Sequence, residues 1–60
     1  MNYTYEIEWR DNEGDIYSES FKELSEARKE IKYLEARNNV IVQTWRYLDG
    51  EYLGSIPPRQ

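Results

Sequence analysis

The sequence predicts an α+β domain of order ββαββ: a four-stranded antiparallel sheet in strand order 2-1-3-4, with one helix, about residues 21–38, packed on one face. Three observations carry this reading. Residues 21–38, FKELSEARKEIKYLEARN, place Leu24, Ala27, Ile31 and Leu34 at steps of three and four, which is one apolar stripe on an α-helix. The flanking segments alternate aromatic and β-branched residues with polar ones, the period of a half-buried strand. Each flank also holds a turn signal, Asp11-Asn12-Glu13-Gly14 in the first and Asp49-Gly50 in the second, so each should fold into a hairpin. Two hairpins joined through one helix make 2-1-3-4 the least contrived order.

In the first strand Tyr3, Tyr5, Ile7 and Trp9 point one way, toward the helix, while Thr4, Glu6, Glu8 and Arg10 point the other. The following turn reads as type I, with Gly14 supplying the left-handed residue of a three-residue loop. That register pairs Trp9 with Tyr17 and Tyr5 with Phe21, and leaves Ile16 on the outer face. Ser20-Phe21-Lys22-Glu23 fits a capping box at the helix start, with Glu23 and Ser25 as competing caps. Asn38 and Asn39 both tolerate the left-handed conformation that ends a helix, and Arg37 suits the negative end of its dipole.

Val40 to Leu48 forms the third strand. A two-residue type I′ turn at Asp49-Gly50 pairs Leu48 with Glu51, Tyr47 with Tyr52 and Trp45 with Gly54. One face then carries Ile41, Trp45, Tyr47, Tyr52 and Ile56. The other carries Val42, Thr44, Arg46, Leu48, Leu53 and Ser55. A slip of one residue would exchange the two sets and expose Trp45 and Tyr47 instead. Pro57 and Pro58 end the pairing, so residues 57–60 are expected to be a loose tail.

Sixty residues form a single domain, 1–60, that buries only about 60% of the surface its unfolded chain exposes. Stability of roughly 3 to 5 kcal/mol follows. With no Cys and no His, disulfides, thiol chemistry, the usual zinc sites and a His-based triad are excluded. Aromatics, nine residues of the 60, and self-association are the remaining sources of stability. A net charge of −4 speaks against direct binding of nucleic acid, which draws on clustered Lys and Arg, and without such a positive groove the Tyr and Trp residues do not make a stacking platform. The charge is uneven. Residues 1–21 hold Glu6, Glu8, Asp11, Glu13, Asp15 and Glu19 against Arg10 alone, a local sum of −5. No apolar run approaches a membrane span, no charged-then-apolar leader opens the chain, and a cytoplasmic location is expected.

Five features invite a chemical reading. Asp11, Glu13 and Asp15 around a glycine resemble a calcium loop in composition, but Gly14 comes fourth and Lys22 twelfth where that loop needs Gly at six and Glu at twelve; turn chemistry accounts for them, and no metal is expected. Glu6, Glu8 and Glu19 would need a cleft to act as an acid–base pair, and a domain with one helix has little room for one. The acidic first hairpin, with Glu6, Glu8, Asp11, Glu13 and Asp15, could imitate duplex phosphates and occupy the basic groove of a nucleic-acid-binding protein; ordinary solubility charge is the plainer alternative. Tyr33, almost opposite the apolar stripe and near Arg37, reads as an exposed contact residue or as an idle surface aromatic. Finally, Ile16, Val42, Leu48 and Leu53 gathered around Arg46 on the outer sheet face would make an apolar patch with a charged rim.

With no catalytic or cofactor signature, the sequence reads as a protein-binding domain without enzymatic activity. The favoured role is an inhibitor or modulator of a larger protein, nucleic-acid-binding proteins being one class of such partner, of the anti-defence kind carried by phages and mobile elements. A homodimeric structural or accessory subunit is the alternative.

Overall fold

The computed structural model describes residues 1–57, and the chain runs β1 (Tyr3–Arg10), β2 (Ile16–Phe21), α1 (Leu24–Ala36), β3 (Val40–Leu48) and β4 (Glu51–Gly54). The strands form one antiparallel sheet in the predicted order β2-β1-β3-β4, with α1 across one face. In the first turn Gly14, at φ +88°, donates its N–H to the Asp11 carbonyl at 3.2 Å, and the Asp11 N–H donates to the Asp15 carbonyl at 3.0 Å. The register that follows pairs Trp9 with Tyr17 and Tyr5 with Phe21, as the turn dictates. In the second, Asp49 and Gly50 both take positive φ, 49° and 86°, the signature of the type I′ turn. Asp49 also ties down the start of the chain: its N–H donates to the Asn2 carbonyl at 2.8 Å, and its Oδ1 accepts from the Asn2 N–H at 2.9 Å.

The helix is shorter than the 21–38 stretch suggested by its periodicity. Phe21 is spent as the last residue of β2, opposite Tyr5, so the helix begins at Leu24 with Glu23 as its N-cap residue and with no side-chain cap bond. The Ser20 capping box does not form. At the other end Asn38 takes φ 66°; its N–H donates to the Glu35 carbonyl and the Asn39 N–H to the Leu34 carbonyl at 2.9 Å, the paired bonds of a Schellman cap. The Asn39 side-chain amide adds a second bond to the same Leu34 carbonyl at 3.1 Å.

The core is small. Ala27 and Leu34 from the helix stripe are buried against Tyr5 and Ile7 of β1 and against Ile56 beyond β4, with Trp9, Phe21, Leu24, Ile31 and Ile41 half-buried around them. The Ile56 N–H donates to Thr44 Oγ1 at 3.0 Å, and the Arg28 guanidinium donates to the Pro57 carbonyl at 3.2 Å. These two bonds hold the segment after β4 against the helix side of the domain. Pro57 is half-buried there, and residues 58–60 lie outside the described part of the chain.

The expected faces of β3 and β4 are corrected by two bulges. Ile41 pairs with Trp9 and Gln43 with Glu8, so Val42 is an extra residue without a partner. From Gln43 onward the alternation is reversed: Thr44, Arg46 and Leu48 lie opposite Ile7, Tyr5 and Tyr3 on the helix side, while Trp45 and Tyr47 lie opposite Glu6 and Thr4 on the outer side. A second bulge at Leu53 pairs Gly54 with Arg46, not Trp45, and returns Ile56 to the helix side. The turn-proximal pairs Leu48–Glu51 and Tyr47–Tyr52 stand as expected.

Candidate functional site

The sheet face opposite α1 carries no covering layer among the described residues. It is built from the outward positions of all four strands. Ile16, Ser18 and Ser20 come from β2, Thr4, Glu6, Glu8 and Arg10 from β1, Val40, Gln43, Trp45 and Tyr47 from β3, and Tyr52 from β4. Because directly opposed residues in an antiparallel ladder project to the same side, their side chains lie about 5 Å apart from strand to strand. Trp45 is thus the cross-strand neighbour of Glu6, and Gln43 that of Glu8. Tyr47 and Tyr52 meet across β3 and β4 with ring centroids 5.8 Å apart and planes tilted by 59°. The face divides into an aromatic half over β3 and β4 and an acidic, serine-lined half over β1 and β2.

Among the residues singled out by sequence, Glu6 and Glu8 lie on this face, half-buried between their cross-strand neighbours. Asp11, Glu13 and Asp15 sit in the adjoining loop. There Asp11 is occupied by the turn itself, its Oδ1 accepting from the Glu13 N–H at 2.9 Å and from the Asp15 N–H at 3.0 Å. Desolvation pulls the Asp11 carboxyl upward, but the backbone amides of Asp15 and Glu13, the neighbouring Tyr17 hydroxyl and the Gly14 amide together outweigh it and hold the pKa below the ordinary carboxylate value. The same contact, with the negative charge of Asp11 behind it, raises the Tyr17 hydroxyl above its usual value. No group of three or more acids among the described residues is arranged to hold a metal ion.

The outer apolar patch expected around Arg46 is not assembled. Arg46 and Leu48 face the helix side, Val42 and Leu53 are the bulged residues of β3 and β4, and Ile16 keeps its predicted outward place. Arg46 Nε is buried there without a hydrogen-bond partner, as is Arg28 Nε. Tyr33 is exposed, as its helical position requires, and the Arg37 guanidinium lies 5.3 Å from its ring centroid. This pair stands on the solvent side of α1, the layer opposite the open sheet face, so a single flat partner cannot engage both.

Trp45, Tyr47 and Tyr52, which strict alternation places on one face with Ile41 and Ile56, are the aromatic content of the open face. Two signals pointed to the change. Val40-Ile41-Val42 is a run of three aliphatic residues that strict alternation cannot accommodate, and Gly54 lies inside a strand, where a glycine marks a bulge.

Among the described residues, no helix is long and apolar enough to cross a membrane. Comparison of the chain with protein-family models, curated proteins and solved structures gives no match.

Proposed function

We propose that this chain is a small acidic protein-binding domain that inhibits or modulates a larger protein, docking its open sheet face on a basic surface of the kind that receives nucleic acid. The observation that carries the reading is the juxtaposition of Glu6 and Glu8 with Trp45, Tyr47 and Tyr52 on a face that no helix among the described residues covers. Aromatics of this type supply anchoring area at low entropic cost, and carboxylates beside them steer a basic partner and discriminate against acidic ones. Asp11, Glu13 and Asp15 at the end of the same hairpin extend the negative field beyond the contact.

The test is capture from lysate of the source organism or its host with three baits: the native chain, Glu6→Gln with Glu8→Gln, and Trp45→Ala with Tyr47→Ala. A stoichiometric partner that is lost with both variants, and that nucleic acid displaces, supports the reading. Retention by both variants would overturn it. The same face could instead close a homodimer, and a solution mass that doubles with concentration and falls back in the Trp45→Ala, Tyr47→Ala variant would establish that alternative.

A further inference from the structure

The two edges of the sheet are not alike. The β4 edge is four residues long, bulged at Leu53, ends in Gly54 and is followed by Pro57, which are devices that prevent another strand from pairing there. The β2 edge, Ile16–Phe21, contains no proline, no lysine and no bulge, and its residues 16–20 are all exposed. Its hydrogen-bonding phase follows from the turn. The Asp11 N–H to Asp15 carbonyl bond makes Asp11–Asp15 a bonded pair, so Trp9–Tyr17, Ile7–Glu19 and Tyr5–Phe21 are the bonded pairs of the ladder. Tyr17, Glu19 and Phe21 therefore direct their N–H and C=O groups into β1. Ile16, Ser18 and Ser20 direct theirs outward, into solvent.

From this edge and the charge around it, we infer that β2 is a strand-addition site for an extended segment of a protein partner carrying basic residues at two alternate positions. This rests on the protein-binding reading and names the partner's chemistry. The outward backbone groups supply the pairing common to all strand addition, and the side-chain floor supplies the selection. Ser18 separates the incoming strand from Glu8, and Ser20 separates it from Glu6, each along one line of cross-strand neighbours. Strands lie about 5 Å apart, so the incoming residues opposite Ser18 and Ser20 start about 10 Å from the two glutamates. A Lys or Arg side chain lying over a serine spans that distance; it could not pass over a large residue. The next line runs from Ile16 to Arg10, which excludes a basic residue there. On the helix side, Glu19 at the edge adds a third acid.

A second copy of this chain is the less fitting occupant. Self-pairing would set two hairpins together, each summing to −5 over residues 1–21, and centring the pair on Glu19 would place Glu19 opposite Glu19.

The experiment is residue-resolved amide exchange by NMR on the whole chain with a synthetic peptide of about eight valine and threonine residues carrying lysine at two alternate central positions. A glutamate-for-lysine peptide and a backbone N-methylated lysine peptide serve as controls. The expected result is slowed exchange at Ile16, Ser18 and Ser20, about tenfold when nine chains in ten carry peptide. Tyr17 and Glu19, already bonded to β1, should be little changed, and neither control peptide should protect. Glu6→Gln with Glu8→Gln should weaken binding about fivefold, and added salt should do likewise. Ser18→Pro should abolish it by deleting an outward N–H that β1 does not use. If that variant fails to fold, the N-methylated peptide tests the same bond on the native chain. Three outcomes would overturn the inference: no protection on β2 with the lysine peptide, shifts confined to Trp45, Tyr47 and Tyr52, or protection at Ser18 that grows with protein concentration and without peptide. The second would leave the docking of the open face standing, so the two ideas fail separately.

Discussion

The two faces of the sheet spend the same kind of residue in opposite ways. On the helix side Tyr5, Ile7, Ala27, Leu34 and Ile56 make a core of five buried residues. On the open side Trp45 and Tyr47, half-buried, and Tyr52, exposed, are each larger than most of those and lie outside the core. A 60-residue chain gains little stability to spare, so leaving three large aromatics outside the core withholds burial that the domain could have used. The helix face is thus the part that determines whether the chain folds, and the open face is the part that can change without unfolding it.

Substitutions on the helix side should be the most damaging. Ile7, with 0% of its surface exposed, sits at the centre of the core, and Ile7→Ala should cost about 2 to 5 kcal/mol through lost burial and the cavity left behind. That approaches the whole stability expected of a domain this size, so urea denaturation should find the variant largely unfolded in water. Ala27, equally inaccessible, sets how closely α1 approaches the sheet. Ala27→Leu should cost about 1 to 3 kcal/mol by overpacking, read as a lower denaturation midpoint. If either change were tolerated, the core would lie elsewhere and the contrast between the faces would fail.

How the faces were assigned is a question of particular residues. The stripe Leu24, Ala27, Ile31, Leu34, the first-hairpin register and both turns were legible because each depends on local chemistry: helical spacing, the Asp11–Gly14 turn, the positive φ of Asp49 and Gly50. The placement of Trp45 was not, because alternation carries parity and one unpartnered residue reverses it. Val42 is that residue. With it the chain keeps Ile41 inside and sends Trp45 outside, the choice being made by the sum of tertiary contacts and not by any local preference. Deleting Val42 sharpens the point. Without it Ile41 and Gln43 become consecutive and already sit on the correct faces, so the sheet should survive at a cost of about 1 kcal/mol from altered twist, with Trp45 still outward in the NMR contacts. Collapse of the fold would mean that the bulge does more than count residues.

On the open face the effects on stability should be smaller and those on binding larger. Trp45→Ala removes a half-buried ring that lies outside the core cluster, and should cost about 1 kcal/mol or less by denaturation. The same variant should lose the partner captured by the native chain. A loss of folding comparable to that of Ile7→Ala would make Trp45 a structural residue and remove the reason to read this face as a contact surface.

The smallest expected effect lies in the loop joining the two strands of the acidic hairpin. The Asp11 carboxyl, held below its ordinary value of 3.8 by amide donors and the Tyr17 hydroxyl, favours the folded turn in its ionised form. Its contribution is complete above the unfolded value and is lost as the pH falls through the lower folded value, so the turn should loosen below about pH 4. Asp11→Asn keeps an oxygen for the Glu13 and Asp15 amides and should keep the turn, while removing this part of the acid sensitivity. Tyr17→Phe should move the Asp11 titration toward its ordinary value and leave the register of β1 and β2 intact. Carboxyl chemical shifts followed from neutral pH to acid read both effects directly. An Asp11 titration unchanged by Tyr17→Phe would show that the amides alone hold the carboxylate, making the loop a self-contained turn independent of the edge strand beside it.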